Sequence, residues 1–487
     1  MNNQVISFIN EKYGCTVSSE YYDRYIDVWN SWWRGFHTPF HRYCINNGRK
    51  KITREFFTLK MAKKVCEDWA SILLNEKTKC IISDVKACEF VQGKRENGGV
   101  FGDNDFWVQG NRLIEKAFAT GTGAVTVHTE NAQIGADGKI TPSEHTRLKL
   151  CYMPADYIIP ISYDNGRIRE AAFCSEHIIR GRRYLLAEVH ILDKGEYVIK
   201  NHWFDAEYMQ LSEKELPEGF VKELRTGSDI PWFALIMPNI ENSIECNGGL
   251  GVSILHGAID ILKGIDLAYN NLCKDFELGG KKVFMLRDLV GIDDDGEEIA
   301  PDDVGQQLFT LVPRDTISTE GNGASKFIYE FNPSIRVQEN TDGIQAQLDY
   351  LSFRCGLGNK HYQFNSGSVV TATQYTGDKQ DLIQNAHKHY ITVENFLLQL
   401  IRSIIHIGNA FCGLGATENT DIEIVFDKSV IIDEDSEREK DRQDIRDKLM
   451  AEWEYRMKWY GETEKQAKAM IEEIGGDDEL YEGDDFE

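Results

Sequence analysis

The feature that most constrains this sequence is a helical pattern about forty residues long that ends near Ala410. Apolar residues recur there at spacings of three and four, which predicts one face of a single helix. They are Leu382, Ala386, Tyr390, Val393, Leu397, Leu400 and Ile404. At about 1.5 Å per residue the helix is about 60 Å long, longer than an ordinary globular domain is wide. The rest of the chain must therefore pack around a rod.

Two further helices are predicted upstream, separated by a segment with strand and turn character. The first, from about Ser253 to Phe276, has one apolar face and a second apolar row beside it. The face comprises Leu255, Ala258, Leu262, Ile265, Tyr269, Leu272 and Phe276, and the row comprises Ile254, Ile261 and Ala268. Two apolar faces are typical of a helix flanked on both sides, as in a ring or bundle. The second helix runs from about Asn340 to Cys355.

A long loop precedes the forty-residue helix. Residues 356–371 contain three glycines and an Asn-Ser-Gly, which predict irregular backbone, and loops of this length are uncommon unless they are functional. If several copies met around an axis, the polar and aromatic residues of this loop would line a channel; the alternative is an exposed surface loop. The candidates are Asn359, Lys360, His361, Tyr362, Gln363, Phe364 and Asn365. Lys281 and Lys282, where the first helix ends, are weaker candidates for the same role.

Charge and cysteine content exclude several classes of protein. The formal net charge is −25, which argues against a broad basic surface for nucleic acid. Nearly half of it lies in residues 427–487, with 22 acids and 10 bases, so this part is expected to be a separate unit. Eleven cysteines without a CxxC pair suit reduced thiols and predict no metal site. No signal peptide or membrane span is predicted, and we expect a soluble protein made in a cytoplasm.

The motifs of common enzymes are missing. The sequence contains no GxxxxGK[ST], GxSxG, HExxH or paired CxxC, so no catalytic residue and no cofactor are predicted, and energy must come from a partner. Asp103 and Asp105 are interpreted as a helix start. Asp293–Gly296 lacks the alternating acids of a calcium loop. His387 and His389 lie two apart on a helix and cannot share a metal there.

The order of predicted elements indicates an α+β fold. Residues 1–247 combine helices with a later antiparallel meander. The aromatic run at residues 21–33 is interpreted as a packed amphipathic helix, and contact with a neighbouring subunit is the alternative. A helical region covers residues 427–474, and the tail 475–487, with seven acids and no bases, is predicted to be disordered.

Four stretches carry a resemblance to a known family. In chain order they are WNSWWRGFHTPFH (29–41) with LKMAKKVCEDWASILLNE (59–76), GLGVSIL (249–255) with AIDILKGID (258–266), FELGGKKVFM (276–285) and GLGNKHYQFNSGSVVTATQ (356–374). Together they resemble the portal proteins of tailed bacteriophages of Gram-positive hosts. The chain departs from relatives in the length of the segment 281–338, called the clip, and at Thr371–Gln374, where relatives often carry an acid in the last position.

The resemblance implies a division of the chain into parts. These are a wing (1–247), a first stem helix (248–280), a small α/β clip (281–338), a second stem helix (339–355), a tunnel loop (356–371), a long helix returning to the wing (372–426), a helical crown (427–474) and the acidic tail (475–487). The six stem residues Leu255, Leu262, Ile265, Tyr269, Leu272 and Phe276 would then pack subunits together.

The resemblance also implies a function and a set of partners. A ring of about twelve copies would sit at one capsid vertex of the virion and conduct double-stranded DNA, held only transiently and without sequence preference. Its partners would be the large terminase subunit, a head-tail adaptor, and the major capsid and scaffolding proteins, with no membrane. Two alternatives stay open, a tail or baseplate component and a metal-dependent DNA-processing enzyme using Asp103 and Asp105.

Overall fold

The computed structural model describes most of the chain. The described residues are 3–46, 48, 50–94, 98–131, 133–134, 140–141, 146–205, 212–217, 220–286, 291–292, 298–299, 309–312, 328–363, 372–426, 434–460 and 462–478. None of the described helices has an apolar stretch long enough to cross a membrane.

Helices and one hairpin form the first quarter of the chain. The elements are α1 (Asn3–Tyr13), α2 (Ser19–Tyr21), a π-helical turn (Tyr22–Ile26), α3 (Asp27–Trp33), α4 (Thr38–His41), β1 (Arg42–Asn46), β2 (Lys51–Glu55), α5 (Met61–Leu73), β3 (Lys79–Ile82), α6 (Val85–Gln92), α7 (Gly99–Asp103) and α8 (Phe106–Thr120). Strands β1 and β2 form an antiparallel hairpin.

Antiparallel sheet dominates the next part. The strands are β4 (Gly123–Glu130), β5 (Gln133–Ile134), β6 (Ile140–Thr141), β7 (Arg147–Pro154), β8 (Ile158–Asp164), β9 (Arg167–Ile179), β10 (Arg182–Asp193), β11 (Glu196–Asp205), β12 (Ser212–Lys214), β13 (Glu223–Arg225) and β14 (Phe233–Ile236). The larger sheet has the order β12-β11-β10-β9-β8, with β13 also on β11, and the smaller one has the order β14-β4-β7. In β7 Leu148 and Leu150 are buried and Arg147 and Lys149 are exposed, so one face packs on α8.

The last part contains the long helices. The elements are α9 (Ile259–Leu278), β15 (Lys282–Leu286), β16 (Gly291–Ile292), β17 (Glu298–Ile299), β18 (Phe309–Val312), β19 (Ile328–Phe331), α10 (Val337–Arg354), α11 (Ala372–Phe411), β20 (Ile422–Val425), α12 (Glu434–Arg446), α13 (Glu452–Tyr460) and α14 (Glu464–Asp478). The 40 residues of α11 confirm the predicted long helix. The mixture of helices with largely antiparallel sheet confirms the α+β class.

One expectation for this part differs from the structure, and another stays a prediction. The described residues of segment 281–338 form strands until α10 begins at Val337, with β15 parallel to β18 and antiparallel to β19. The residues between these strands lie outside the described ranges, so the α/β clip stays a prediction. Helix α14 continues to Asp478, past the predicted end at Ile474. Two glycines do not end it, because glycine lowers helix stability but keeps its backbone N–H donor. The rest of the acidic tail lies outside the described residues.

Two hydrophobic clusters form the core. One joins α5, α8, α10 and α11 with the start of α9, and the other packs α1–α3 against the larger sheet. Tyr21, Tyr22 and Trp29 are at most 1% exposed in the second cluster. Their burial confirms the packed-helix interpretation of the aromatic run and leaves these three no surface for a neighbouring subunit.

Candidate functional site

Helices α9 and α10 form an antiparallel pair that carries the small sheet of β15, β18 and β19 at one end. At that end Arg336 Nη2 lies 3.1 Å from Asp275 Oδ1, and Asn340 Nδ2 donates to Asp275 Oδ2 at 2.9 Å. At the other end Arg354 Nε donates to the Gly257 carbonyl at 3.1 Å. The hydrogen bonds from Arg336 and Asn340 hold the pKa of Asp275 below its usual value. Both ends of the pair are therefore fastened by polar contacts.

The six predicted stem contacts occupy different environments. Leu255, Leu262 and Ile265 are at most 2% exposed and share a core cluster with Ile344 and Leu348 of α10. They therefore pack within their own chain. Tyr269 and Leu272 are half-buried at the edge of the same cluster, and Phe276 is 54% exposed.

A second apolar stripe lies on the outer side of the pair. Tyr350 and Phe353 of α10 are 61% and 64% exposed, and Leu267 of α9 is 41% exposed. With Gly343 and Ala346, which are also exposed, the α10 residues recur at spacings of three and four and share one face. We call Gly343, Ala346, Tyr350 and Phe353 the outer stripe. The sequence contains this spacing, but the stripe was not predicted from it, because the apolar residues that face the core have the same helical spacing.

The loop after α10 begins with a fixed segment. Tyr362 is half-buried, its hydroxyl donates to Asp68 Oδ2 of α5 at 2.8 Å, and its carbonyl accepts from Gln345 Nε2 at 2.7 Å. Burial and the Asp68 carboxylate raise the pKa of Tyr362, so its hydroxyl stays protonated as the donor. Burial alone raises the pKa of Asp68, but His361, Lys64 and Tyr362 outweigh it and lower the pKa.

The loop candidates therefore separate by environment. His361 Nε2 lies 3.8 Å from Asp68 Oδ2, so His361 faces α5 as Tyr362 does, but His361 is exposed. Asn359, Lys360 and Gln363 are exposed, and Lys360 has a left-handed backbone with φ 59° and no ion pair within the described residues. Phe364 and Asn365 lie outside the described residues.

The two lysines at the end of α9 are less available than Lys360. Lys281 Nζ lies 2.7 Å from Glu330 Oε1, which offsets its charge, and Lys282 is half-buried in β15. An ion pair with both partners half exposed contributes little to stability, but it reduces the local positive potential. Among these basic candidates Lys360 and Lys282 form no ion pair in the described part of the chain, and of these two Lys360 is the exposed one.

A buried polar contact, missed at the sequence level, joins α9 to the N-terminal body. His41 is fully buried and its Nε2 lies 2.9 Å from Asp266 Oδ2, while Leu59 N donates to Asp266 Oδ1 at 2.8 Å. The His37 amide donates to His41 Nδ1, so Nε2 carries the proton and donates to Asp266. Burial raises the pKa of Asp266. A histidine and an aspartate 225 residues apart give no sequence signal of contact.

The two aspartates weighed for enzyme chemistry are both exposed but differ in position. The Asp105 carbonyl accepts the Val108 and Gln109 amides where α8 begins, as the helix-start interpretation predicts, whereas Asp103 is the last residue of α7. Within the described ranges no three His, Cys, Asp or Glu residues are grouped to hold a metal ion. The acidic turn 293–296 lies outside those ranges.

Comparison with known families identifies one match. The family model described as "Phage portal protein, SPP1 Gp6-like" matches residues 19–474 of the 487. No curated protein matches the sequence. The matched range includes α9, α10, the loop after α10 and all of α11.

Proposed function

We infer the function from the premise that this chain belongs to the phage portal proteins of the SPP1 Gp6-like family. It is a structural protein of the virion, a head-tail connector that serves genome packaging. The proposal that follows concerns how this chain performs that role.

The proposed assembly is a dodecameric ring at one capsid vertex. Residues 1–247 form its wing, α9 and α10 its stem, residues 281–338 its clip and 427–474 its crown. The ring conducts double-stranded DNA during packaging and ejection. It docks the large terminase subunit first and head-tail adaptors afterwards, and it also contacts the major capsid and scaffolding proteins.

The observation that carries the ring is the outer stripe. Two large apolar side chains that are more than half exposed, on a helix already packed on its other side, are unfavourable in water and typical of an unfilled interface. In the proposed ring Tyr350 and Phe353 contact the stem of the next subunit, together with Leu267 and the exposed parts of Tyr269, Leu272 and Phe276. A helix pair covered on both sides is what a ring of stems requires.

The proposed channel contact is the loop from Asn359 to Asn365. Tyr362 fixes its beginning to Asp68, and Lys360 presents a charge that forms no ion pair among the described residues. A lysine binds a phosphate group without reading sequence, which suits a passing duplex. A net charge of −25 per subunit keeps the rest of the channel from holding DNA tightly.

The experiment is to image the purified protein by negative-stain electron microscopy and weigh it by mass photometry. We expect rings of the wild type and monomers of the double variant Tyr350→Glu with Phe353→Glu, because two charges would be buried in the interface. Val85→Glu, which places the same charge at a residue 69% exposed on α6, is the matched control and should form rings. Rings of normal mass from the double variant would contradict the proposed interface.

A further inference from the structure

A cavity of about 290 Å³ lies where three parts of the chain converge. Its walls come from residues 252–257 before α9, residues 354–356 after α10 and residues 385–389 of α11, with the segment 240–243 at one side. A volume of this size is at the lower end for ligand sites and holds one small polar group rather than a strand of nucleic acid.

The charges of this cavity oppose the charge of the chain. Arg354 and Lys388 line it, and neither has a carboxylate within ion-pair distance among the described residues. Glu241 is the single carboxylate of the lining, so the formal charge is one positive unit in a chain of −25. Cations that line one cavity without forming an ion pair favour an anion there.

His389 adds a buried donor. Its side chain packs edge-on against the rings of Trp69 and Phe118, is 3% exposed and lines the cavity. The Asn239 amide donates to His389 Nδ1 at 3.1 Å, so Nε2 carries the proton. Burial, and then Lys388, lowers the pKa of His389 to about 3, which keeps the ring neutral at working pH.

The Nε2 proton of His389 has no acceptor within the part of the chain that the structure describes. This nitrogen keeps some accessible surface, so water or an anion in the cavity can accept its proton.

Arg354 is held in place by the backbone at the cavity rim. Its Nε donates to the Gly257 carbonyl, and a Cβ on Gly257 would lie 2.2 Å from Arg354 Nη2. A side chain at position 257 would therefore displace the guanidinium from its present position. The remaining guanidinium N–H groups are oriented by one fixed hydrogen bond, which reduces the entropy lost when an anion binds.

We propose that this cavity binds a small oxyanion of phosphate size, with Arg354 and Lys388 supplying charge and His389 Nε2 a neutral hydrogen bond. The site shares Gly356 with the start of the loop but is distinct from the proposed channel contact at 359–365 and from the outer stripe, and the proposal does not depend on ring formation. An anion there would tie together the start of α9, the end of α10 and α11.

The test is calorimetric titration of inorganic phosphate into the full-length protein in chloride buffer at constant ionic strength. We expect saturable binding to the wild type, weakened about tenfold or more in Arg354→Gln and in Lys388→Gln, since each removes a charged hydrogen-bond donor. Arg402→Gln removes an exposed charge from α11 outside the cavity and should bind phosphate like the wild type. Both lining cations are exposed, so the variants should fold, which circular dichroism checks.

Three results would overturn the proposal. The first is a wild type that takes up no phosphate, and the second is a loss of phosphate affinity in Arg402→Gln as large as in Arg354→Gln. The third comes from a parallel titration with a short DNA duplex. If Arg354→Gln binds the duplex more weakly than the wild type does, while all variants bind free phosphate with equal affinity, the arginine contacts nucleic acid instead of a free anion.

Discussion

At the scale of residues, close backbone contact fixes where the helical half of the chain begins. Gly121 ends α8 with φ 92°, and Gly251 passes directly against it. A Cβ on Gly251 would lie 2.2 Å from the Gly121 carbonyl oxygen, and one on Gly121 would lie 2.3 Å from the Gly251 oxygen. The Tyr21 hydroxyl also donates to the Gly251 carbonyl at 2.7 Å. The GLGVSIL stretch is therefore a packing requirement of this junction.

Gly251→Ala should destabilise the protein by about 3 kcal/mol or more, because the added methyl group meets backbone that cannot move aside. Urea unfolding followed by circular dichroism measures this change. Gly102→Ala is the control: no atom lies within 4 Å of the Cβ position, and the change should be stabilising by less than about 1 kcal/mol. Equal midpoints for the two variants would show that the junction is not tightly packed.

A charge pair joins the two sheets. His128 Nδ1 of β4 lies 3.4 Å from Glu188 Oε2 of β10, and His190 Nε2 lies 2.6 Å from Glu188 Oε1. Burial by itself lowers the pKa of His128, but the Glu188 carboxylate and, after it, Cys151 together outweigh burial and raise the pKa to about 9. Burial raises the pKa of Glu188, while His128 and His190 lower it to about 2.

The pH dependence of stability follows from these shifts. The His128 contribution is complete below pH 6.5 and is lost as pH rises through about 9, while that of Glu188 is complete above pH 4.5 and is lost as pH falls towards about 2. The stability difference between wild type and Glu188→Gln should therefore be largest from pH 4.5 to 6.5 and decline towards pH 9. Urea midpoints of both proteins across this range measure it, and a difference that grows with pH would contradict the assignment.

At the scale of elements, the loop after α10 combines an anchor with an exposed charge. Tyr362 fastens it to α5 and α10, and Lys360 projects from a left-handed turn. Substitution of Tyr362 should therefore affect stability, and substitution of Lys360 should affect function, although the two residues lie two apart.

Tyr362→Phe should cost about 1–2 kcal/mol of stability, because Asp68 loses a hydrogen bond. Lys360→Ala should leave stability unchanged within about 0.5 kcal/mol and reduce the amount of DNA packaged, measured as nuclease-protected DNA in an in vitro packaging reaction. Packaging at the wild-type level in Lys360→Ala, with rings intact, would remove Lys360 from the proposed channel contact.

At the scale of the whole molecule, charge and assembly oppose each other. Each chain carries −25, and bringing like-charged chains into one ring costs electrostatic energy that the apolar stem contacts must exceed. Nearly half of this negative charge lies in residues 427–487, which follow the stem in the sequence. Assembly and this acidic segment should therefore be separable.

Removing residues 479–487 keeps α14 whole and deletes five acids and no base. Rings should persist in this variant and tolerate lower salt than the wild type, because repulsion between subunits falls. Mass photometry across a salt series measures the ring fraction, with a full-length chain carrying a neutral segment of equal length as control. Loss of rings on truncation would assign the segment a contact in the assembly.

The periodicity of apolar residues in the sequence was sufficient to predict the long helix of this protein. The spacing of Val393, Leu397 and Leu400 predicted α11, and glycine and polar residues predicted the loop before it, because local backbone preference depends on neighbours in sequence. The tertiary structure decided which apolar face is buried. Leu255, Leu262 and Ile265 pack inside the chain, Tyr350 and Phe353 stay exposed, and His41 meets Asp266. A face becomes core only when another element covers it, and that element is distant in the sequence.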